Sequence, residues 1–175
     1  MIETKDLILR KAVFEDWEDI YRSVWSRPDC ARYMLWNVTT NDEDAKARIL
    51  RTIRWQSEHD AYYVCEKKSG QAIGFTGLEP VPTEGEGARV YEEGGICIGT
   101  EFQRRGYGRQ VVKALLERAR EVYGATEFQY SAREANLPSQ RLAESFGFML
   151  HHKEQRTDDR DGSSYTMLVY RKKLI

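Results

Sequence analysis

The chain is organised around the sequence Gln103-Arg104-Arg105-Gly106-Tyr107-Gly108, which lies between two apolar segments. Before it, Gly95-Ile96-Cys97-Ile98 is a short apolar run that predicts a buried strand. After it, apolar residues recur at helical spacing, and Gly124 follows as a predicted C-terminal stop. The positions on that helical stripe are Val111, Val112, Leu115, Leu116, Ala119 and Val122. The sequence therefore predicts a strand, a glycine-rich turn and a long helix in succession.

The predicted turn has the properties of an anion-binding site. A glycine-rich loop that opens a helix leaves main-chain N–H groups unpaired, and the helix dipole makes that end positive. Arg104, Arg105 and Arg109 add charge suited to phosphate oxygens. The residue order is neither that of a P-loop nor that of a dinucleotide-binding fold. Taken alone, the loop also fits a tight strand-to-helix turn on a solvated cationic face.

A second segment begins with Asn136-Leu137-Pro138-Ser139 and ends with Gly147-Phe148. Asn136 is a candidate helix cap, Pro138 fits a first helical turn, and Gly147 is a helix stop. Between the two segments there is room for the long helix and one strand, predicted over Glu127–Ala132. The two segments therefore bracket a helix and a strand.

Together these segments resemble the GNAT superfamily of N-acetyltransferases. Gln-x-x-Gly-x-Gly is similar to the acetyl-CoA pyrophosphate motif of that superfamily, and Asn-x-x-Ser followed by Gly-Phe is similar to its second motif. Leu7-Ile8-Leu9-Arg10 and Arg32-Tyr33-Met34-Leu35-Trp36 resemble the branch of ribosomal-protein N-terminal (alanine/serine) acetyltransferases. The resemblance implies an α+β GNAT (acyl-CoA N-acyltransferase) fold: a mixed, mostly antiparallel central sheet with helices on both faces. Two central strands would splay apart, and acetyl-CoA would lie in the gap.

The resemblance also implies which residues bind acetyl-CoA, the expected acetyl donor. The loop N–H groups would hold the pyrophosphate, Ile96 N–H would polarise the thioester carbonyl, and Ile98 would pair with pantetheine. Asn136 would hold an amide of the carrier, and Arg141 would reach the adenosine phosphate, although an exposed helix arginine is commoner. The predicted donor-binding residues are Ile96, Ile98, Gln103, Arg104, Arg105, Gly106, Tyr107, Gly108, Arg109, Asn136 and Arg141.

An amine acceptor has to lose a proton before it attacks the thioester. At neutral pH this costs roughly 4–5 kcal/mol for a lysine, with a pKa near ~10.4, but about 1 kcal/mol for an N-terminal α-amine. Glu93, in Glu93-Gly94-Gly95, resembles the Glu-x-Gly of the family's fourth strand and is the candidate base. Glu92 is its rival, because a bulge would change which side chain faces the site. A solvated carboxylate is the alternative for either residue.

The leaving thiolate has to gain a proton, and here the sequence departs from much of the superfamily. Many members carry a tyrosine four residues before the glycine of the second motif, where this chain has Ala143. The departure resembles the ribosomal-protein branch, in which the serine of Asn-x-x-Ser is assigned this role. Ser139 is therefore the candidate general acid, and helix capping is its alternative role.

The acceptor site is less well marked. Tyr33 and Trp36 are candidates for stacking on a substrate, although aromatic residues in such a loop also cover a core. His151 and His152 have no partner at metal-ligand spacing, so they are expected to be structural or solvated and no metal site is predicted. Cys97 has no neighbouring His or Asn in the sequence, so a buried apolar role is expected rather than a nucleophilic one.

Length and charge limit the remaining possibilities. The 175 residues suit one domain, 1–175, with a sizeable core. A net charge of −1 provides no global field for nucleic acid or anionic membrane. No signal peptide or membrane-length apolar run is recognised. The three scattered cysteines predict free thiols in a reducing compartment, the cytoplasm.

The sequence thus predicts an acetyl-CoA-dependent N-acetyltransferase. The acceptor would be a primary amine, either a protein N-terminal α-amine or a small molecule, attacking directly in a ternary complex. The expected partners are acetyl-CoA and the amine, with a homodimer as a candidate assembly and no nucleic acid or membrane. The alternative is a non-catalytic acyl-CoA-binding sensor or interaction module.

Several local elements are also predicted. The sequence indicates a first strand over Leu7–Ala12, a helix whose apolar face runs from Trp17 to Val24, and a capping box at Thr40–Glu43. A hairpin should join strands over Tyr62–Glu66 and Ala72–Leu78, followed by a flexible loop over Pro80–Ala88. A final pair of strands is predicted over Met149–Arg156 and Tyr165–Arg171.

Overall fold

The computed structural model describes residues 1–83 and 87–174, which contain eight strands and five α-helices. The strands are β1 (Ile2–Glu3), β2 (Leu7–Arg10), β3 (Ala61–Glu66), β4 (Ala72–Val81), β5 (Val90–Ile98), β6 (Glu127–Arg133), β7 (Met149–Thr157) and β8 (Ser164–Lys173). The helices are α1 (Trp17–Ile20), α2 (Pro28–Ala31), α3 (Asp42–Glu58), α4 (Tyr107–Tyr123) and α5 (Leu137–Ser145). Short 3-10 turns cover Phe14–Asp16 and Thr100–Phe102.

The chain forms two compact units. The first comprises Met1–Gly77 and Gly94–Ala114, and the second comprises Leu78–Glu93 and Leu115–Ile175. The strands β4 and β5 and the helix α4 each have residues in both units. The expectation of one domain over 1–175 stays a prediction.

The strands follow the order β1-β2-β3-β4-β5-β6-β8-β7 in one sheet. The pairs β1/β2, β2/β3, β3/β4, β6/β8 and β7/β8 are antiparallel. β5 and β6 run parallel, with three residue pairs from Val90↔Glu127 to Glu92↔Gln129. The predicted mixed and mostly antiparallel sheet is therefore confirmed.

In the first unit, β2 alternates as a half-buried strand should, with Leu7 and Leu9 fully buried. The predicted strand continued to Ala12, but β2 ends at Arg10. The reason is a bidentate ion pair, because the guanidinium of Arg10 donates to both carboxylate oxygens of the buried Asp16 at 2.8 and 2.7 Å. This pair holds the chain in a turn toward α1.

The helices of the first unit differ from the prediction at two points. The face predicted over Trp17–Val24 belongs to α1 followed by a π-helical turn over Tyr21–Trp25. The capping box predicted at Thr40–Glu43 is wrong, because the N-cap of α3 is Asn41, whose Oδ1 accepts the N–H of Asp44 at 2.9 Å. The helix α3 ends at Glu58, and His59 after it is extended.

The β3–β4 hairpin is present as predicted, with a turn in which Gly70 N–H donates to Glu66 O at 2.8 Å. β4 continues through Val81, so the loop predicted over Pro80–Ala88 begins later. Within that loop, residues 84–86 lie outside the described part of the chain.

The second unit contains the aromatic cluster of Phe128, Tyr130 and Phe148, whose ring centroids lie 5.7–6.0 Å apart where they contact. The helix α4 ends at Tyr123, before Gly124, as predicted. The predicted cap of α5 is also confirmed, because Asn136 Oδ1 accepts the N–H of Ser139 at 3.3 Å. The last two strands match the predicted pair and are slightly longer.

Candidate active site

The glycine-rich loop belongs to the first unit and turns sharply into α4. Arg104 and Gly106 adopt left-handed backbone conformations, with φ of +62° and +79°. A Cβ atom on Gly106 would have no heavy atom within 4 Å. The loop backbone at Gly106 therefore faces open space, and the left-handed conformation of this residue favours glycine.

The N–H groups of this loop are available to a ligand. Among the described residues, the main-chain N–H groups of Arg104, Arg105, Gly106, Tyr107 and Gly108 have no acceptor. Further along, Gln110 N–H donates to Gly106 O at 3.2 Å, as in a helix. A row of unpaired donors at the positive end of a seventeen-residue helix suits an anion.

A buried carboxylate at the end of β3 holds the loop. Glu66 is 5% exposed, and its Oε1 accepts from Arg105 Nη1 at 3.2 Å and from the hydroxyl of Tyr107 at 2.6 Å. Its Oε2 accepts from Ser69 Oγ at 2.8 Å. The Tyr107 hydroxyl, followed by Ser69, keeps the pKa of Glu66 below its ordinary value. The side chains of Arg105 and Tyr107 are therefore held at the end of β3 by hydrogen bonds to Glu66. The ion pair with Glu66 also neutralises part of the positive charge of Arg105.

The loop is also tied to the strand that precedes it. Gln103 Nε2 donates to the carbonyl oxygen of Ile98 at 2.9 Å. Gly95, inside β5, has a φ of +89°, which is typical of a bulge. The Ile98 side chain is buried and that of Ile96 is half-buried, in agreement with a structural role for both side chains.

Glu92, in the second unit, is part of a side-chain network. Gln129 Nε2 donates to Glu92 Oε2 at 2.6 Å, and Gln129 Oε1 accepts from Arg171 Nε at 2.8 Å. Burial raises the pKa of Glu92, and the bond from Gln129 opposes that rise. These hydrogen bonds link Glu92 on β5 to Gln129 on β6, and Gln129 to Arg171 on β8. The Glu92 carboxylate therefore helps to hold the three strands together.

Glu93 has a different environment. The β5–β6 residue pairs end at Glu92↔Gln129, and beyond them the N–H of Ser131 donates to Glu93 Oε1 at 3.1 Å. Glu93 Oε2 is buried and has no hydrogen-bond partner among the described residues. Burial raises the pKa of Glu93 well above its ordinary value. The carboxylate of Glu93 is therefore held in position through Oε1, while Oε2 is buried and makes no hydrogen bond to the described residues.

The hydroxyl of Ser139 contacts a tyrosine that the sequence analysis did not single out. Ser139 Oγ and the hydroxyl of Tyr130 lie 2.9 Å apart, and either can be the donor. Asn136 caps α5, so the side chain of Ser139 is not used as the cap. Burial raises the pKa of Tyr130, and the charge of Glu93 adds to the rise. Glu93, Tyr130 and Ser139 thus form one electrostatically linked group in the second unit.

The other predicted residues are dispersed. Arg104, Arg109 and Arg141 are exposed, and Ala143 is fully buried. Tyr33 is half-buried with the guanidinium of Arg32 5.3 Å from its ring centroid, and Trp36 is half-buried against the core of the first unit. His151 and His152 are exposed on β7.

Neither a metal-binding group nor a membrane-spanning helix is found in the described part of the chain. Over residues 1–83 and 87–174, no three His, Cys, Asp or Glu side chains are grouped so as to hold a metal ion. The helices of the same residues are too short or too polar to cross a membrane. Cys30, Cys65 and Cys97 are buried free thiols. A hydrogen bond with Cys30, together with burial, raises the pKa of Cys97, which disfavours a nucleophilic thiolate there.

Sequence reasoning missed Glu66 and Tyr130 for a physical reason. A glutamate at the end of an otherwise apolar strand was the available signal for Glu66, but its partners Arg105 and Tyr107 lie about forty residues away. Tyr130 belongs to a strand segment with the buried Phe128 and Ala132, which indicates core rather than chemistry. Both roles depend on contacts made only in the folded chain.

The comparisons with known proteins agree with this architecture. The model of a family described as "Acetyltransferase (GNAT) domain" matches residues 6–149. The GNAT-family acetyltransferase from Bacillus anthracis is 18% identical with a TM-score of 0.81, and the match covers 99% of this chain and 98% of that chain. A Vibrio cholerae protein described as a ribosomal-protein-serine acetyltransferase is 19% identical with a TM-score of 0.77, covering 98% and 96%.

Another similar structure is that of the microcin C7 self-immunity acetyltransferase MccE, solved with acetyl-CoA and AMP. It is 17% identical with a TM-score of 0.79, and the match covers 97% of this chain and 93% of that chain. No curated protein sequence matches the chain significantly. At these identities the solved structures support the fold alone, and they confirm the predicted GNAT fold.

The environment of Glu66 predicts an acid-sensitive loop. Because the pKa of Glu66 is lowered on folding, its carboxylate stabilises the fold above the ordinary value of 4.5, and this contribution is lost as pH falls through the lowered pKa. Glu66→Gln should reduce the free energy of unfolding by about 2–3 kcal/mol at pH 7 and by much less near pH 3. Urea unfolding at several pH values measures this, with Glu58→Gln, at an exposed position on α3, as the control. Equal losses at both pH values would contradict the assigned role.

Proposed function

Because the chain belongs to the GNAT acetyltransferase family and takes its acetyl group from acetyl-CoA, we propose that it transfers this group to a primary amine by direct attack in a ternary complex. The observation that carries the proposal is the row of N–H groups from Arg104 to Gly108, which has no acceptor among the described residues. The acceptor is a protein N-terminal α-amine or an amine of a small molecule. The name of the Vibrio cholerae neighbour supports the first of these acceptors.

The loop binds the diphosphate of acetyl-CoA through its main chain. The N–H groups are oriented before the donor arrives, because Glu66 holds Arg105 and Tyr107 and because Gln103 is bonded to Ile98. Preorganised donors need no rearrangement when charge appears. The exposed Arg104 and Arg109 add positive charge beside the diphosphate. Next to the left-handed backbone of Gly95, the N–H of Ile96 polarises the thioester carbonyl in this proposal.

Glu93 removes the proton from the amine. A carboxylate with an ordinary pKa is a weak base at neutral pH, and burial brings the pKa of Glu93 closer to that of an α-amine. Its Oε2 has no partner among the described residues and is free to accept the proton, whereas the Oε2 of Glu92 is already bonded to Gln129. Glu93 is therefore the base, and Glu92 has a structural role.

Ser139 is the general acid of the proposal: its hydroxyl donates a hydrogen bond to the sulfur of the leaving thiolate, and solvent supplies the proton that the released thiol gains. A thiol has an ordinary pKa near ~8.5, so a hydroxyl that donates a hydrogen bond is sufficient to stabilise the thiolate at neutral pH. When Ser139 donates to sulfur, the hydroxyl of Tyr130, 2.9 Å away, donates to Ser139 Oγ. The raised pKa of Tyr130 keeps this phenol protonated and able to donate. The pair replaces the superfamily's tyrosine, whose position is taken by the buried Ala143.

The proposal includes a reducing compartment such as the cytoplasm. The support is that all three cysteines are buried free thiols. A homodimer stays a prediction.

The decisive experiment combines donor binding with turnover. The protein should release CoA from acetyl-CoA only when an amine is present, with N-terminal peptides, amino acids and small amines as the panel. Gly106→Trp should weaken acetyl-CoA binding at least about tenfold, because the indole fills the open space above the loop N–H groups. Calorimetry measures the affinity, and Gly162→Trp is the control because Gly162 has a similar φ of +74° and equally open surroundings. Unchanged affinity in the Gly106 variant would remove the loop from the donor site.

Glu93→Gln should lower kcat/KM by about 10²–10⁴-fold and remove the limb of the pH–rate profile that reports the base. Because the pKa of Glu93 is raised, the rate of the parent should increase with pH as this carboxyl loses its proton. Glu92→Gln is the matched control and should retain the limb. If Glu92→Gln removes it instead, the roles of the two carboxylates are reversed.

Ser139→Ala should lower kcat by about 10–100-fold while the calorimetric Kd for acetyl-CoA changes little, because only the leaving thiolate loses a hydrogen bond. Tyr130→Phe should have a smaller effect of the same kind, since water can replace the phenol as a partner of Ser139. Ser145→Ala, at the exposed end of α5, is the control. If both the Ser139 and the Tyr130 variants keep the kcat of the parent, the role proposed for this hydroxyl pair is wrong.

A further inference from the structure

A cavity of about 510 Å³ lies in the first unit between α3 and the segment that precedes it. Its lining includes two tryptophans, Trp36 and Trp55, and two arginines, Arg48 and Arg51. One carboxylate, that of Asp44, also lines the cavity. The volume is that of a typical small-molecule site, and aromatic walls with a few charged groups are typical of such sites.

Arg48 is held in place by aromatic rings. The guanidinium carbon lies 4.6 Å from the centroid of Trp25 and 4.7 Å from that of Trp36, and Nη1 donates to Thr39 Oγ1 at 3.0 Å. Stacking of this kind fixes the plane of the guanidinium, and a fixed plane favours two parallel hydrogen bonds to a carboxylate or phosphate. Arg48 is thus preorganised for an oxyanion.

Arg48 also lacks a counter-ion. Within residues 1–83 and 87–174, neither Arg48 nor Arg51 has a carboxylate at ion-pair distance. By contrast, Arg10, Arg105 and Arg133 each pair with a buried carboxylate. Burial, with a contribution from Arg51, lowers the pKa of Arg48 to about 10. A half-buried cation without a partner is unfavourable, and an incoming anion would relieve that cost.

The carboxylate of the cavity does not supply the missing charge. Asp44 Oδ2 accepts from Asn41 Nδ2 at 2.8 Å, and the N–H of Asp44 donates to Asn41 Oδ1 at 2.9 Å. Asp44 is therefore held in the cap of α3, where the helix dipole favours a negative charge. Two arginines face one aspartate, so the cavity keeps a net positive charge.

We infer that this cavity recognises an oxyanion, a carboxylate or a phosphate, on the amine acceptor, with a flat part of the acceptor packed against Trp36 and Trp55. The inference rests on the proposed function, because it assigns the acceptor of that reaction. It extends the sequence prediction for Trp36 by adding Arg48 and Arg51 as the charged recognition groups. It predicts that polyamines and other acceptors without an anionic group are poor substrates.

Direct binding tests the inference without acetyl-CoA. The probes are phenyl phosphate and benzoate, with benzyl alcohol as the neutral probe of similar shape. The anionic probes should shift the indole N–H signals of two of the four tryptophans in an NMR titration, and their Kd should rise with salt. Arg51→Gln should weaken binding of the anionic probes about tenfold, and Arg48→Gln should weaken it more. The matched control is Arg54→Gln, an exposed arginine on α3 outside the cavity.

Because Arg48 packs against core tryptophans, Arg48→Gln has to be checked for folding by circular dichroism. Arg51 is exposed, so its variant keeps the test valid if the Arg48 variant unfolds. Equal binding of benzyl alcohol and the anionic probes would overturn the inference. So would an effect of Arg51→Gln no larger than that of Arg54→Gln.

Turnover separates the inference from the proposed function. Tyrosine against tyramine, and phosphoethanolamine against ethanolamine, compare amines with and without a carboxylate or a phosphate. The anionic member of at least one pair should have a KM at least about tenfold lower, and Arg51→Gln should raise that KM more than the KM of the neutral member. Which pair shows the difference identifies the anion. Acetylation without preference for either anion would overturn the inference and leave the proposed function standing. Anionic binding without acetylation of any amine would overturn the proposed function, and with it the assignment of the bound anion to an amine acceptor.

Discussion

The buried carboxylate of Glu66 is the constraint on which the proposed donor site depends. A loop can present unpaired N–H groups only if something other than main-chain hydrogen bonds keeps it in shape. Here the side chains of Arg105 and Tyr107 supply that support through Glu66, and Gln103 supplies it through the carbonyl of Ile98. The main-chain donors from Arg104 to Gly108 remain available as a result. The loop is thus held by side-chain hydrogen bonds, while its main-chain N–H groups stay unpaired among the described residues.

The distribution of buried charge separates structural groups from functional ones. In the ion pairs Arg10–Asp16 and Arg133–Asp158, each buried carboxylate has an arginine as its counter-ion. These pairs link neighbouring segments within each unit. Glu93 in the second unit and Arg48 in the first lack a partner of opposite charge among the described residues. An unpaired charge away from water reduces stability, and such groups are typical of sites where a proton or an ionic ligand arrives. Their pKa values shift in opposite senses for the same reason, since burial disfavours each charged form.

In the proposed reaction, Ser139 and Tyr130 of the second unit take the role of the family tyrosine whose position Ala143 occupies. A hydroxyl from α5 and a phenol from β6 form a hydrogen-bonded pair, so the proton donor of the proposed reaction comes from two elements instead of one. The capping of α5 by Asn136 makes this pair available, because it relieves Ser139 of the capping role that its position would otherwise favour. The presence of Ala143 on α5 is therefore interpreted together with Tyr130 on the neighbouring strand β6.

The sequence by itself determined the order of strands and helices, the glycine-rich loop, the helix stop at Gly124 and the cap at Asn136, because these depend on local periodicity and on the backbone preferences of Gly, Asn and Pro. It also indicated the family through two motifs. Only the tertiary structure gave Glu93 and Glu92 their different surroundings, supplied the partners of Glu66 and Ser139, and brought Arg48 between two tryptophan rings. These features join residues far apart in the chain, and burial and partnership, which set their charge and reactivity, arise only when the distant segments pack.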